Sequence, residues 1–76
     1  MENAVLSDNM KRVADRMRKQ IARADTMILA AKAGARAEGF VLGLETAGSL
    51  TPRDAQNLYI VFEAAVEERL KSLTVI

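Results

Sequence analysis

The chain has no cysteine, no histidine and no tryptophan. Without Cys there is no disulfide, no thiolate metal ligand and no thiol nucleophile. Without His, the commonest general base and the commonest metal ligand are both missing. Only Phe40, Tyr59 and Phe62 are aromatic. A core must therefore be built from Ala, Leu, Ile, Val and Met, which suits closely packed helices better than a sheet. Proline occurs once, at Pro52, so nothing before it forces a helix to stop. Long apolar runs are absent as well. The most apolar stretch, Met27 to Ala31, ends at Lys32 and falls far short of the ~20 residues that cross a bilayer. The first residues lack the basic start, apolar middle and small-residue site of a secretory signal, and a cytoplasmic setting is expected.

The same inventory argues against chemistry. No metal-ligand spacing, no phosphate-cradling glycine loop and no nucleophile with its base can be assembled. Glu63 and Glu67 stand four residues apart on what reads as an exposed helix face, where paired carboxylates serve solubility. Tyr59 falls on an apolar stripe and reads as core. The expectation is a protein that is not an enzyme, with no cofactor, no metal and no small-molecule substrate.

What is present is helix-forming sequence. The 76 residues are half hydrophobic and fit a single domain over 1–76. A chain this short buries only roughly 60% of the surface its unfolded form exposes, so a staple or a partner is expected. From Ser7, a cap residue followed by the first-turn acid Asp8, no proline interrupts until Gly48. Ala, Met, Arg, Lys and Glu dominate that interval, and all are good helix formers. With Met10 at position a of a heptad, the a, d and e positions include Met10, Val13, Ala14, Met17, Ile21, Ala24, Met27, Ile28, Ala31 and Ala35. Such a stripe lies against other helices. The pattern predicts one long helix over about residues 7–47, with residues 1–6 as a frayed end.

Gly34, Gly39 and Gly43 weaken that helix by up to ~1 kcal/mol each relative to Ala. A bend at Gly34 or Gly39 would give three helices instead. The small residues Ala31, Ala35, Gly39, Gly43 and Ala47 recur every four positions, however, and predict a ridge for close helix–helix packing. Gly48 suits the left-handed conformation past a last turn. Leu50, Thr51, Pro52 and Asp54 then supply a staple, a hydroxyl cap, a first-turn proline and an acid for a second helix over about 52–73. Its buried face is expected to be Ala55, Leu58, Tyr59, Phe62, Ala65, Val66, the Arg69 stem, Leu70 and Leu73. The short turn at 48–51 makes the pair an antiparallel helical hairpin, with 74–76 as a tail.

A hairpin of unequal arms leaves apolar surface uncovered. The first helix would be ~60 Å long and the second ~33 Å. Met10, Val13, Met17, Ile21, Ala24 and Ile28 are therefore the expected oligomer interface, pairing two chains into an all-α four-helix bundle. The function expected is a small homo-oligomeric interaction or adaptor module, with itself and another protein as partners.

Charge supports a second reading. Residues 1–36 carry eight bases against four acids, and residues 37–76 carry three against six. Arg12, Arg16, Lys19 and Arg23 fall on one flank with Lys11 and Arg18 beside them. A DNA- or RNA-binding accessory protein is therefore the alternative, with Lys11, Arg12, Arg16, Lys19 and Arg23 as its contacts. A helix-turn-helix with Arg53, Gln56 and Asn57 reading bases is opposed by Glu63, Glu67 and Glu68 on the same helix, because these repel phosphates.

Overall fold

The long first helix does not exist as a single rod. In the computed structural model, which describes residues 7–74, the chain forms α1 (Asp8–Ala22), α2 (Met27–Thr46) and α3 (Pro52–Thr74), and all three helices pack on one another. The two-helix reading is thus corrected to three helices. The residues expected to be a frayed start, 1–6, and the last two of the tail lie outside the described residues.

The break falls at neither Gly34 nor Gly39. It falls at Arg23–Thr26, where no glycine or proline stands. The N–H of Arg23 donates to the carbonyls of Lys19 and Ile21, and that of Ala24 donates to Ile21, closing the last turn of α1. Thr26 then adopts an extended conformation, and its Oγ1 accepts from the N–H of Leu29 at 3.0 Å. This is an N-cap, and it starts α2 afresh. The three residues Ala24, Asp25 and Thr26 reset the helical phase, so a heptad counted from Met10 loses its register beyond them.

The other ends follow the sequence signals. Ser7 Oγ accepts from the N–H of Met10 and begins α1. Gly48 has φ +79°, and its N–H and that of Ser49 return to the carbonyls of Glu45 and Leu44. Only a residue free of Cβ crowding takes that φ cheaply. Thr51 Oγ1 accepts from the N–H of Asp54 and caps α3, while Leu50 is buried beside the turn.

The core comprises Ile21 from α1, Ala37 and Val41 from α2, Ala55 and Phe62 from α3, and Leu50 from the turn. Phe62, Ile21 and Val41 are its largest fully buried side chains. Every residue expected on the inner face of α3 is buried or half-buried. On α1 the expected stripe also turns inward, but the chain covers it itself. Met10, Val13, Ala14 and Met17 are half-buried and Ile21 is fully buried.

The small-residue ridge is the second correction. Ala31, Ala35, Gly39, Gly43 and Ala47 are all exposed. No neighbouring atom lies within 4 Å of where a Cβ would stand at Gly39 or Gly43. Close packing inside the chain uses a neighbouring row, Ala30, Gly34, Ala37 and Val41, all buried. At Gly34 a Cβ would stand 2.5 Å from Val66 Cγ2, so the missing side chain lets α3 approach. One residue along a helix turns its side chain by about 100°, which separates the two rows. No described helix is long and apolar enough to cross a membrane.

Candidate interaction surfaces

Each helix spends one face on the core, and what remains differs in character from helix to helix. On α1 the outward row is Arg12, Arg16, Lys19 and Arg23, spaced three or four residues apart and all exposed. Lys19 Nζ lies 3.1 Å from Asp15, and Arg18 lies 2.7 Å from the same carboxylate. These two cations hold the Asp15 carboxyl below its ordinary range, with the Arg18 hydrogen bond the larger cause. Arg12 is steadied by a 2.8 Å bond to the side-chain oxygen of Asn9. Among the described residues, Arg12, Arg16 and Arg23 have no carboxylate within salt-bridge distance. Lys11, also read as a candidate contact, lies to the side of this row, in a groove between α1 and α3.

The outward face of α2 is apolar and small. Ile28 is 69% exposed and Leu42 is 57% exposed, and Ala31, Ala35 and Gly39 lie between them. Taken from Ala35, these residues stand four and seven positions to either side: Ala31 with Gly39, Ile28 with Leu42. Lys32 and Arg36 flank the row on one side and Glu38 on the other. Because the inner side is also apolar, α2 is hydrophobic nearly all round, a composition typical of helices covered on two sides.

On α3 the outward face is acidic, with Glu63 and Glu67 exposed beside Ile60. The extra cover expected for Ile60 and Val61 is missing within the chain, since they remain 54% and 44% exposed.

Between α1 and α3 runs an open groove of about 530 Å³. Its floor is Ala22, Val61, Ala64 and Ala65, and Arg18 and Glu68 stand on its rim. Lys11 and Ala14 line a second, smaller groove with Leu58, whereas Ala22 lines this one with Ser72, so the two helices run in the same direction. The floor is methyl groups and the rim is charge. Nothing in the groove pairs a nucleophile with a base, and among the described residues no cluster of acids could hold a metal ion.

Of the six residues expected at an oligomer interface, only Ile28 is both large and exposed. Met10, Val13, Met17 and Ile21 pack within the chain, and Ala24 is buried in the α1–α2 connection. The basic candidates Lys11, Arg12, Arg16, Lys19 and Arg23 are all exposed. Two elements escaped the sequence reading. Thr26 is a cap whose signal, a hydroxyl residue before an apolar run, was hidden by the helical propensity around it. Arg69 is the other. Its Nε donates to the carbonyl of Ala24 at 2.8 Å, tying α3 to the α1–α2 connection. The hint was an arginine on an otherwise apolar face, where a cation needs a nearby acceptor.

Comparison with known protein families, with curated proteins and with solved structures found no match.

Proposed function

We propose that this protein is a small, non-enzymatic interaction module that pairs with a second copy of itself through the outward face of α2. One observation carries the reading: Ile28 and Leu42 stand 69% and 57% exposed at the two ends of a row of small residues, on a helix whose other side is core. In this reading α2 and α3 keep the antiparallel hairpin arrangement, α1 closes the third side, and the α2 helices of two chains meet at the centre.

The spacing of the row favours self-pairing over a random apolar patch. A two-fold contact is isologous, so each residue must meet its symmetry mate's counterpart across the axis. With the axis at Ala35 and the helices antiparallel, Ala31 meets Gly39 of the other copy and Ile28 meets Leu42. Small residues at the crossing let the backbones approach, and the large ones clasp the flanks. The solvent exposure of Ala31, Ala35 and Gly39 then has a use, since these residues pack between chains and not within one.

The interface is modest. A helix face ~30 Å long and ~10 Å wide is small beside the ~800 Å² per partner of a standard interface, so association in the micromolar range or weaker is expected. Light scattering or sedimentation across a concentration series tests this directly. Mass should rise from one chain toward two, and Leu42→Glu or Ile28→Glu should return it to one while leaving the helical circular dichroism intact. A mass of one chain at the highest concentrations, or dimers indifferent to both substitutions, would defeat the reading.

A further inference from the structure

We propose that α1 binds the phosphate backbone of nucleic acid through Arg12, Arg16, Lys19 and Arg23, without reading sequence. This surface is separate from the α2 face, and neither depends on the other.

The argument begins with what the inner side of α1 is doing. Met10, Val13 and Met17 are half-buried and Ile21 is fully buried, so the packing of the chain holds this helix in one rotation. That rotation presents the four cations along a line about 16 Å long. Two acids stand by it: Asp8, exposed one turn before Arg12 on the same face, and Asp15. Asp15 lies at its edge and binds Arg18 and Lys19, leaving Arg12, Arg16 and Arg23 without a carboxylate within salt-bridge distance among the described residues. The acidic side chains Glu63 and Glu67 stand on the outward face of α3 instead, where they do not neutralise the row.

A line of fixed cations can be met by a nucleic acid, a lipid surface or an acidic protein, and the packing separates the first two. A helix that lies in a membrane interface buries its apolar face in the lipid. Here that face is already committed to α2 and α3, so only charge is offered outward. Guanidinium groups favour phosphate, which they meet with paired N–H donors. The outward face of α1 has no aromatic side chain for base stacking, so the interaction is electrostatic and tolerant of sequence.

The test is titration of a fluorescently labelled DNA duplex at several salt concentrations, using the full chain. The three arginines give a slope of about −2.7 for log K against log salt, and about −3.6 when Lys19 also leaves Asp15 for a phosphate, or about −0.9 for each phosphate. Each of Arg12→Gln, Arg16→Gln and Arg23→Gln should make the slope shallower by about the share of one phosphate, and the triple variant should weaken binding at least ~10-fold at low salt. Lys32→Gln with Arg36→Gln, which removes two exposed cations of α2, should change binding little. All are exposed, so unaltered thermal melting identifies variants that remain folded. Absence of duplex binding at low salt, binding indifferent to the triple variant, or stronger binding to phosphatidylserine vesicles than to duplex would overturn the proposal.

Discussion

Replacing Gly34 by alanine should destabilise the protein, although alanine is the better helix former. The substitution puts a Cβ 2.5 Å from Val66 Cγ2, at least an ångström inside ordinary carbon–carbon contact. Val66 sits in a helix, where a β-branched side chain has essentially one comfortable χ1, so it cannot swing away freely. Relief must come from an off-rotamer valine or from a shift of α2 against α3, and overpacking of this kind costs roughly 1–3 kcal/mol. Against it stands the gain of up to ~1 kcal/mol from replacing glycine inside a helix. The net loss is about 0–2 kcal/mol, too close to zero to interpret alone. Gly39→Ala, measured at concentrations where the protein is a single chain, supplies the reference, because nothing within the chain lies within 4 Å of its new Cβ. That variant should gain ~0.5–1 kcal/mol, leaving a gap of roughly 1–3 kcal/mol between the two. Urea denaturation of both variants, repeated in a Val66→Ala background, separates propensity from collision. With the valine methyls gone, Gly34→Ala should become as favourable as Gly39→Ala, and the coupling energy should match the gap. If Gly34→Ala stabilises as much as Gly39→Ala with Val66 in place, the close approach of α2 and α3 is wrong.

Thr26→Ala should cost ~1 kcal/mol, because the cap that starts α2 is removed; little change in the urea midpoint would mean that the break between α1 and α2 has another cause. Arg69→Met keeps much of the stem but removes the donor to the Ala24 carbonyl, a charge-assisted bond worth roughly 1.5–3 kcal/mol when buried and less here because Arg69 is only part-buried. Hydrogen exchange in that variant should speed up first at Arg23–Thr26. Phe62→Ala, at a fully buried position touching the shared core, should cost ~3–5 kcal/mol and leave a largely unfolded chain at room temperature. Acid sensitivity has a defined sign: the Asp15 carboxyl is held below its ordinary value of 3.8, so its ion pairs stabilise the fold above that value and the effect disappears as pH falls through the lowered one. The stability difference between the wild type and Asp15→Asn should therefore be steady near neutral pH and close in acid.

Local signals were legible wherever the chemistry was local. The Ser7 start, the Gly48 stop, the Thr51–Pro52 start and the inner face of α3 each depend on residues within a few positions of one another, and all stand where the sequence places them. The inner face of α1 was legible for the same reason, but the surface that covers it was not. Periodicity shows that Met10, Val13, Met17 and Ile21 must be covered, and says nothing about whether the cover is the same chain or another. The small-residue row was misassigned within the chain because two rows of Ala and Gly run along α2, and the Arg23–Thr26 connection decides which one turns inward.

Composition and spacing by themselves determined that the chain is helical, where two of its helices begin, and that bases outnumber acids in its first half and acids outnumber bases in its second. They could do so because capping, propensity and amphipathicity act over a turn or two of backbone. The tertiary structure alone decided that the first stretch splits at Arg23–Thr26, that Arg69 ties α3 to that connection, and that Gly34 rather than Gly39 or Gly43 meets a neighbouring helix. Those outcomes rest on contacts between residues as far apart as Ala24 and Arg69, and such contacts arise only when three helices compete for one small core.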